Sequence, residues 1–213
     1  GYAIVRGWLD EEVCQQVIEM YDEDQLFRKR IQMERYRFGM GEYKYLKYPL
    51  PPIIQNLRKD LYDALHQIAN EWNLKLGIDD RYPTRHEEFV TECKKANQNL
   101  ATPLILKYGP GGFNTMHQDL YGKVFFPLQA VIVLNKPGQD FSGGEFVLME
   151  QIPRAQSKAM VLQPQQGDLL VFTTQYRPRK GQRGYYRVQM KHGVSEIRSG
   201  QRHSLGIIFH DAS

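Results

Sequence analysis

The chain has 213 residues, of which 41% are hydrophobic, and its formal net charge at pH 7 is +4. This length suits one folded domain, and the apolar fraction excludes an intrinsically disordered chain. Its two cysteines, Cys14 and Cys93, are too few for a disulfide framework and lack the spacing of a zinc site. Because no run of about 18 apolar residues could span a membrane and no signal peptide opens the chain, we expect a cytoplasmic protein with no membrane partner.

The N-terminal part, residues 1–100, is predicted to be a mainly helical support. Asp10 is a suitable N-cap for a first helix, because apolar residues follow it at helical spacing. A longer apolar stripe, at steps of three and four, begins after Pro52 and ends at Trp72, which predicts a helix of five or six turns. A third, weaker helical pattern covers residues 85–96.

Between the first two helices lies a segment that interleaves basic and aromatic residues, from Arg35 to Tyr45. Its glycines at 39 and 41 predict a flexible loop. Aromatic rings and arginine planes can stack on nucleobases, so the segment is a candidate for nucleic-acid binding. The alternative is an ordered loop whose tyrosines pack against the mouth of the following β unit.

From Thr102 the pattern changes to short apolar runs that alternate with polar residues and are separated by turn signals. It predicts eight strands, at 102–108, 113–117, 125–134, 144–150, 159–164, 168–173, 186–194 and 202–210. Eight strands after a helical half indicate an α+β protein with a jelly-roll or cupin-like core and the helices on one outer face. With no repeat or linker in the sequence, we expect residues 1–213 to form one domain, in which 101–213 is the β core.

The triplet His117-Gln118-Asp119 places two types of metal ligand two residues apart, so that on a strand both side chains point the same way. A neutral imidazole and a carboxylate suit a divalent transition metal. A site with two histidines and one carboxylate needs a second histidine from elsewhere in the fold, and it leaves coordination positions open for other ligands.

Three histidines downstream could complete this site: His192, His203 and His210. On the last predicted strand, alternation separates large apolar residues, which should pack under the helices, from small polar residues, which should face a cavity. His203 falls on the apolar side and His210 lies at the end of the chain, so we favour His192. Arg202 falls on the cavity side, where its guanidinium could bind a carboxylate through two hydrogen bonds.

Together these motifs resemble the 2-oxoglutarate/Fe(II) oxygenase superfamily, and most of all its prolyl-hydroxylase-like branch. The resemblance covers about 102–213 and rests on the following runs: Tyr108 to Asp119, Gly143-Gly144-Glu145-Phe146, Gln166-Gly167-Asp168, His192 to Ser195 and Gly200-Gln201-Arg202. It implies a double-stranded β-helix supported by N-terminal helices.

The resemblance also implies a set of ligands. Fe(II) would be held by His117, Asp119 and His192, while Arg202 would pair with the distal carboxylate of 2-oxoglutarate. Tyr108 matches a position whose hydroxyl often hydrogen-bonds that cosubstrate. The implied reaction uses O2 to convert 2-oxoglutarate to succinate and CO2 while a substrate C–H bond is hydroxylated.

The substrate remains open at this stage. We expect first a protein side chain or a small molecule. One alternative is an AlkB-type oxidative demethylase of nucleic acid, and a second is a non-catalytic, metal-binding cupin-like module. Collagen-type prolyl 4-hydroxylases usually carry lysine where this chain has Arg202. AlkB-type enzymes place their arginine further from the distal histidine and add a second one, so neither subfamily's substrate can be transferred.

Eight basic residues lie between Arg177 and Arg202, where only Glu196 opposes them in the sequence. A hairpin is predicted from Tyr176 to Arg187. An excess of positive charge attracts anions. The hairpin could therefore screen the charge of the cosubstrate, bind an acidic or phosphorylated substrate, or simply be solvated.

Overall fold

A computed structural model describes residues 1–213. The helices are α1 (Glu11–Glu19), α2 (Pro52–Lys75) and α3 (His86–Lys95). The strands are β1 (Tyr2–Val5), β2 (Phe27–Gln32), β3 (Gly39–Met40), β4 (Glu42–Leu46), β5 (Leu104–Tyr108), β6 (Phe113–His117), β7 (Leu128–Val133), β8 (Phe141–Gly143), β9 (Phe146–Gln151), β10 (Lys158–Leu162), β11 (Leu169–Thr173), β12 (Tyr176–Gly181), β13 (Gly184–Val194), β14 (Ile197–Gly200) and β15 (Arg202–Ile207). No helix combines the length and the hydropathy needed to cross a membrane.

Two antiparallel sheets make up the β core. The larger sheet has the strand order β1-β11-β7-β15-β5-β4-β2, and the smaller has the order β10-β9-β13-β6-β3, with β12 paired to β13. Strands β8 and β14 form a separate ribbon. All eight predicted strands are present, and each sheet contains four of them, as in a double-stranded β-helix. The predicted α+β fold class is therefore confirmed.

The apolar core has two main parts, one on each face of the larger sheet. On the outer face, Ile132 and Leu205 pack with helix residues such as Ile54 and Phe89. Between the two sheets, residues of β7 and β11 pack against residues of β9 and β13. The helices thus cover one face of the larger sheet, as the strand alternation predicts, and they leave its other face to line the space between the sheets.

Local sequence explains where the helices begin. The Asp10 side chain accepts a hydrogen bond of 2.8 Å from the backbone N–H of Val13, which caps α1. Pro52 is the first residue of α2, a position where the missing N–H of proline is harmless. Helix α3 occupies all but the two end residues of its predicted range.

The N-terminal part also contains four strands that its sequence did not predict. Strands β2 and β4 extend one side of the larger sheet, β1 pairs with β11, and β3 pairs with β6. The prediction of a flexible loop over Arg35 to Tyr45 is wrong, because a 3₁₀ turn, β3 and most of β4 occupy this region. Strands β2 and β4 are rich in charged and polar residues, and β1 and β3 are only four and two residues long, so none of the four shows an apolar alternation long enough to predict a strand.

A buried ion pair fastens the end of the chain beneath α2. Arg58 donates hydrogen bonds to the carbonyl oxygens of Ile208 and Phe209, both at 2.9 Å, and to Asp211 Oδ1 at 2.8 Å. Its Nη1 also donates to the Tyr48 hydroxyl at 2.7 Å. The Arg58–Asp211 pair is therefore fully hydrogen-bonded inside the structure, which is the condition for a buried ion pair to persist.

Candidate metal and cosubstrate site

Three potential metal ligands meet where β6 and β13 run side by side. His117, the last residue of β6, is the cross-strand partner of His192. Asp119 lies just beyond β6, with its Oδ1 at 3.5 Å from His117 Nε2 and its Oδ2 at 3.2 Å from His192 Nε2. One ligand atom from each residue lies within 4.8 Å of the others. This is the donor set of the facial sites that bind Fe(II) and leave positions open.

Neighbouring groups orient these ligands. Nδ1 of His117 lies 2.8 Å from the Thr115 carbonyl oxygen, so Nδ1–H donates there and Nε2 is left as the ligand atom. The Tyr121 hydroxyl donates to Asp119 Oδ1 at 2.8 Å and accepts a hydrogen bond of 3.0 Å from the Tyr45 hydroxyl. Sequence reasoning did not identify Tyr121. It named Tyr45 only as a member of the segment from Arg35 to Tyr45, and the alternative in which tyrosines of that segment pack at the mouth of the β unit agrees with Tyr45 lining the cavity.

The charges of the three residues suit a metal site. Burial raises the pKa of Asp119, but His117 and His192 outweigh this effect and hold the pKa well below its usual value. Burial, together with the charge of His117, lowers the pKa of His192. Burial also acts to lower the pKa of His117, yet the Asp119 carboxylate raises it overall. An ionised carboxylate next to a neutral imidazole is the protonation state that binds a metal ion.

Arg202 and Tyr108 form a second polar group in the same cavity. They are cross-strand partners on β15 and β5, and their exposed fractions are 1% and 0%. The Arg202 side chain donates one hydrogen bond, of 3.1 Å, to the Ser204 hydroxyl, while its Nε and the Tyr108 hydroxyl have no partner. Burial lowers the pKa of Arg202. A buried guanidinium without a carboxylate, beside a free hydroxyl, is suited to binding an anionic ligand such as a carboxylate.

These five residues line a single cavity of about 210 Å³ between the sheets. Its walls are otherwise largely apolar and include the following residues: Leu104, Leu106, Val131, Phe146, Phe172 and Val194. Four of the seven buried side-chain atoms that lack a hydrogen-bond partner belong to residues of this cavity, namely Tyr108, Gln129, His192 and Arg202. Unpartnered polar atoms are thus concentrated where a ligand would sit.

The other candidate histidines lie elsewhere. His203 lies outside the cavity, with its Nδ1 at 3.0 Å from Asn135 Oδ1, and burial lowers its pKa to about 4. His210 Nδ1 accepts a hydrogen bond of 3.3 Å from the Phe126 N–H, and burial lowers its pKa to about 3. The structure therefore brings His192, and neither of these two, to His117 and Asp119.

The predicted basic hairpin is present in the structure, and ion pairs neutralise part of its positive charge. Strands β12 and β13 form it, and both Arg177 and Arg179 pair with Glu150 of β9. Sequence reasoning missed Glu150, because it lies far from the hairpin in the chain. Lys180, Arg183 and Arg187 remain exposed. Arg202 belongs to the cavity and not to this surface.

Solved structures share this fold. A prolyl-4-hydroxylase from Pseudomonas putida has a TM-score of 0.58 at 16% identity, over 100% of this chain and 94% of its own. A viral collagen prolyl hydroxylase from Paramecium bursaria Chlorella virus-1, solved as a complex with 2-oxoglutarate, has a TM-score of 0.57 at 16% identity, over 97% of this chain and 94% of its own. The fold is that of the prolyl-hydroxylase-like 2-oxoglutarate/Fe(II) oxygenases, whose chemistry uses Fe(II), 2-oxoglutarate and O2.

Sequence comparison defines the family. Residues 41–212 match the model of the Oxygenase-NA family, described as an oxygenase catalysing oxidative methylation of damaged DNA. The chain belongs to this family of oxygenases, and the resemblance seen in its motifs is confirmed. Uncharacterized proteins from two strains of Mycobacterium tuberculosis are each 46% identical over 165 residues, which is 78% of this chain and 71% of theirs.

Proposed function

We propose that this protein is an Fe(II)/2-oxoglutarate-dependent dioxygenase in which His117, Asp119 and His192 hold the iron. In this proposal, Arg202 binds the distal carboxylate of 2-oxoglutarate and the Tyr108 hydroxyl hydrogen-bonds the same cosubstrate. The observation that carries the proposal is the buried Arg202 guanidinium, which has no carboxylate partner and lines the same cavity as the three metal ligands. An anionic cosubstrate would supply its missing partner.

When bound, Fe(II), 2-oxoglutarate and O2 together supply the oxidation: succinate and CO2 leave, succinate keeps one oxygen atom, and the other becomes the product hydroxyl. The chain supplies binding and orientation. Tyr121 holds the Asp119 carboxylate through its hydrogen bond. The apolar walls exclude water, which strengthens the contact between Arg202 and a carboxylate.

The cavity supports hydroxylation of a substrate C–H bond, and we expect a protein side chain or a small molecule as the first substrate class to test. Nucleic acid is the second, and the description of the family favours it. We also propose that residues 1–213 act as one domain. A cytoplasmic location is part of the proposal, because Cys14 and Cys93 are both free and buried.

A coupled-turnover screen tests this function. The protein is loaded with Fe(II), 2-oxoglutarate and O2 and offered peptides, amino acids and methylated oligonucleotides, while succinate is measured. We expect one substrate class to raise succinate release together with an equal amount of hydroxylated product, and Asp119→Ala to abolish both. If metal and 2-oxoglutarate bind but no substrate class raises succinate release, the non-catalytic cupin-like module is the better description.

A further inference from the structure

The structure carries an exposed aromatic rim at the mouth of the cavity, which we define as Tyr36 and Phe38 with the flanking Arg35 and Arg37. We propose that this rim stacks on an unpaired base of single-stranded nucleic acid and holds it at the entrance to the metal site. The proposal rests on the proposed function with nucleic acid, its second substrate class, and it names the residues that would hold the base.

Both aromatic rings of the rim are exposed to solvent although they stack on each other. Tyr36 is 52% exposed and Phe38 is 46% exposed, and their rings stack with centroids 5.4 Å apart and planes 18° apart. Met40 and its cross-strand partner Phe113 add exposed fractions of 44% and 38% nearby. A contiguous exposed apolar patch of this kind indicates a binding surface, whereas single exposed apolar residues do not.

The rim is attached directly to the strand that carries His117. The Phe38 carbonyl oxygen accepts hydrogen bonds from Thr115 N at 2.9 Å and from Thr115 Oγ1 at 2.8 Å. Phe38 and Thr115 both line the cavity. A base stacked on the rim would therefore lie near Thr115, which is two residues before the proposed iron ligand His117 on β6.

The backbone holds the rim in a defined shape. A 3₁₀ turn, Met33–Tyr36, ends at Arg37, which adopts the left-handed conformation with a φ of 58°. The Phe38 N–H then returns to the Met33 carbonyl oxygen at 3.1 Å, and Met33 is fully buried. Since an ordered surface loses less entropy when it binds, this shape favours recognition of a ligand.

Charge decides what kind of ligand fits. Arg35 and Arg37 are both exposed, and neither forms an ion pair, whereas Arg30 on the adjacent strand β2 is paired with Glu42. Two free guanidinium groups beside two stacked rings match a strand of nucleic acid, in which phosphates alternate with planar bases. A proline-rich peptide could also stack on the rings, but it offers nothing to the two cations.

The position of the rim favours an unpaired base over a duplex. A base inside a duplex presents no free face to an aromatic ring, and enzymes that modify a base take it out of the stack. Stacking is tolerant of sequence because every base has a π-face. The rim would therefore select single strands, or bases that leave a duplex easily, with little preference for sequence.

Fluorescence anisotropy with a labelled single-stranded DNA of mixed sequence tests the rim in the protein loaded with Fe(II) and 2-oxoglutarate under anaerobic conditions. Tyr36→Ala and Phe38→Ala should each weaken binding roughly 5- to 100-fold, the range of base stacking. Arg35→Ala and Arg37→Ala should each reduce the slope of log affinity against log salt by about 0.7. Trp8→Ala, at a residue that is 43% exposed away from the cavity, serves as the matched control and should change neither quantity.

The same samples separate the two proposals. If metal and 2-oxoglutarate bind but the oligonucleotide does not, or if a duplex binds as tightly as the single strand, the rim proposal is overturned while the proposed function stands. Rim variants that bind DNA like the wild type, or a proline-rich peptide that alone binds through the rim, also overturn it. If metal and 2-oxoglutarate fail to bind, the proposed function fails.

Discussion

Arg58 and Arg202 are equally buried in this protein, each with an exposed fraction of 1%, yet their surroundings are opposite. Arg58 is paired with Asp211 and donates to backbone carbonyls, whereas Arg202 donates only to Ser204. Because a buried charge is stable only when it is paired, the first arginine belongs to the architecture and the second is suited to binding an anion. The exposed fraction does not distinguish the two arginines, but their hydrogen-bond partners do.

The same contrast holds for the two faces of the larger sheet. On the face that the helices cover, polar groups are matched: His86 Nε2 lies 3.0 Å from the Phe209 carbonyl oxygen, and burial lowers its pKa to about 3. On the cavity face, the Tyr108 hydroxyl and Arg202 Nε have no partner. The helix-covered face is matched internally and the cavity face is suited to binding, and the predictions below test that difference.

The largest effect is expected at the three proposed iron ligands. His117→Ala, Asp119→Ala or His192→Ala should each abolish iron-dependent turnover, because each removes one of only three protein ligands. Metal content and succinate release measure the effect. His66→Gln, a change in α2 away from the cavity, is the control and should keep both. An active His192→Ala variant would show that another histidine is the third ligand.

Substitution of Arg58 and substitution of Arg202 should change the free energy of unfolding by different amounts. Arg58→Met leaves the Asp211 carboxylate buried without its partner, so the free energy of unfolding should fall by about 3–5 kcal/mol. Arg202→Met removes a buried charge that has no counter-ion, so the protein without 2-oxoglutarate should be equally stable or more stable. Urea denaturation of both variants measures this. Equal losses in the two variants would contradict the assignment.

Acid should destabilise the protein through its buried histidines. Burial lowers the pKa values of His86 and His210 to about 3 and that of His203 to about 4, whereas all three pKa values should lie near 6.5 in the unfolded chain. At pH values between the folded and the unfolded pKa of a histidine, the unfolded state binds a proton that the folded state does not. The free energy of unfolding should therefore fall as pH drops below 6.5, by ~1.4 kcal/mol per pH unit for each histidine. His86→Gln should reduce this slope in pH-dependent denaturation, and an unchanged slope would show that His86 is not the source.

The smallest effect is expected at Tyr121. It hydrogen-bonds the proposed iron ligand Asp119, but unlike Arg202 it is not proposed to bind the cosubstrate. Tyr121→Phe removes one hydrogen bond to the ionised Asp119 carboxylate, and losing such a contact to a metal ligand costs about tenfold in metal affinity. Metal affinity should fall by that factor while 2-oxoglutarate affinity, measured at saturating metal, stays unchanged. A Tyr45→Phe variant, one hydrogen bond further away, should have a smaller effect.

The sequence predicted the strands of the β core and which residues meet in the candidate site, because alternation and short spacing are local features. Alternation placed Arg202 and His203 on opposite sides of β15, and two-residue spacing brought His117 and Asp119 to the same place. The strands β2 and β4 escaped prediction because they are polar and lie at one side of the sheet, where β4 forms by pairing with β5 and β2 by pairing with β4. Tyr121 and Glu150 escaped for the same reason, as their roles come from partners that the fold, and not the chain, makes adjacent.

The most direct test of the central claim is calorimetric titration of 2-oxoglutarate into the anaerobic, Fe(II)-loaded protein and its Arg202→Met variant. We predict one binding site in the wild type that requires the metal, and an affinity roughly 10- to 100-fold lower in Arg202→Met, the range for charged hydrogen bonds. The affinity of Arg202→Lys should lie between these two values, because lysine keeps the positive charge but cannot donate two parallel hydrogen bonds to a carboxylate. Equal affinity in the wild type and Arg202→Met, or binding that does not need the metal, would contradict the claim that the cavity face holds iron and 2-oxoglutarate together.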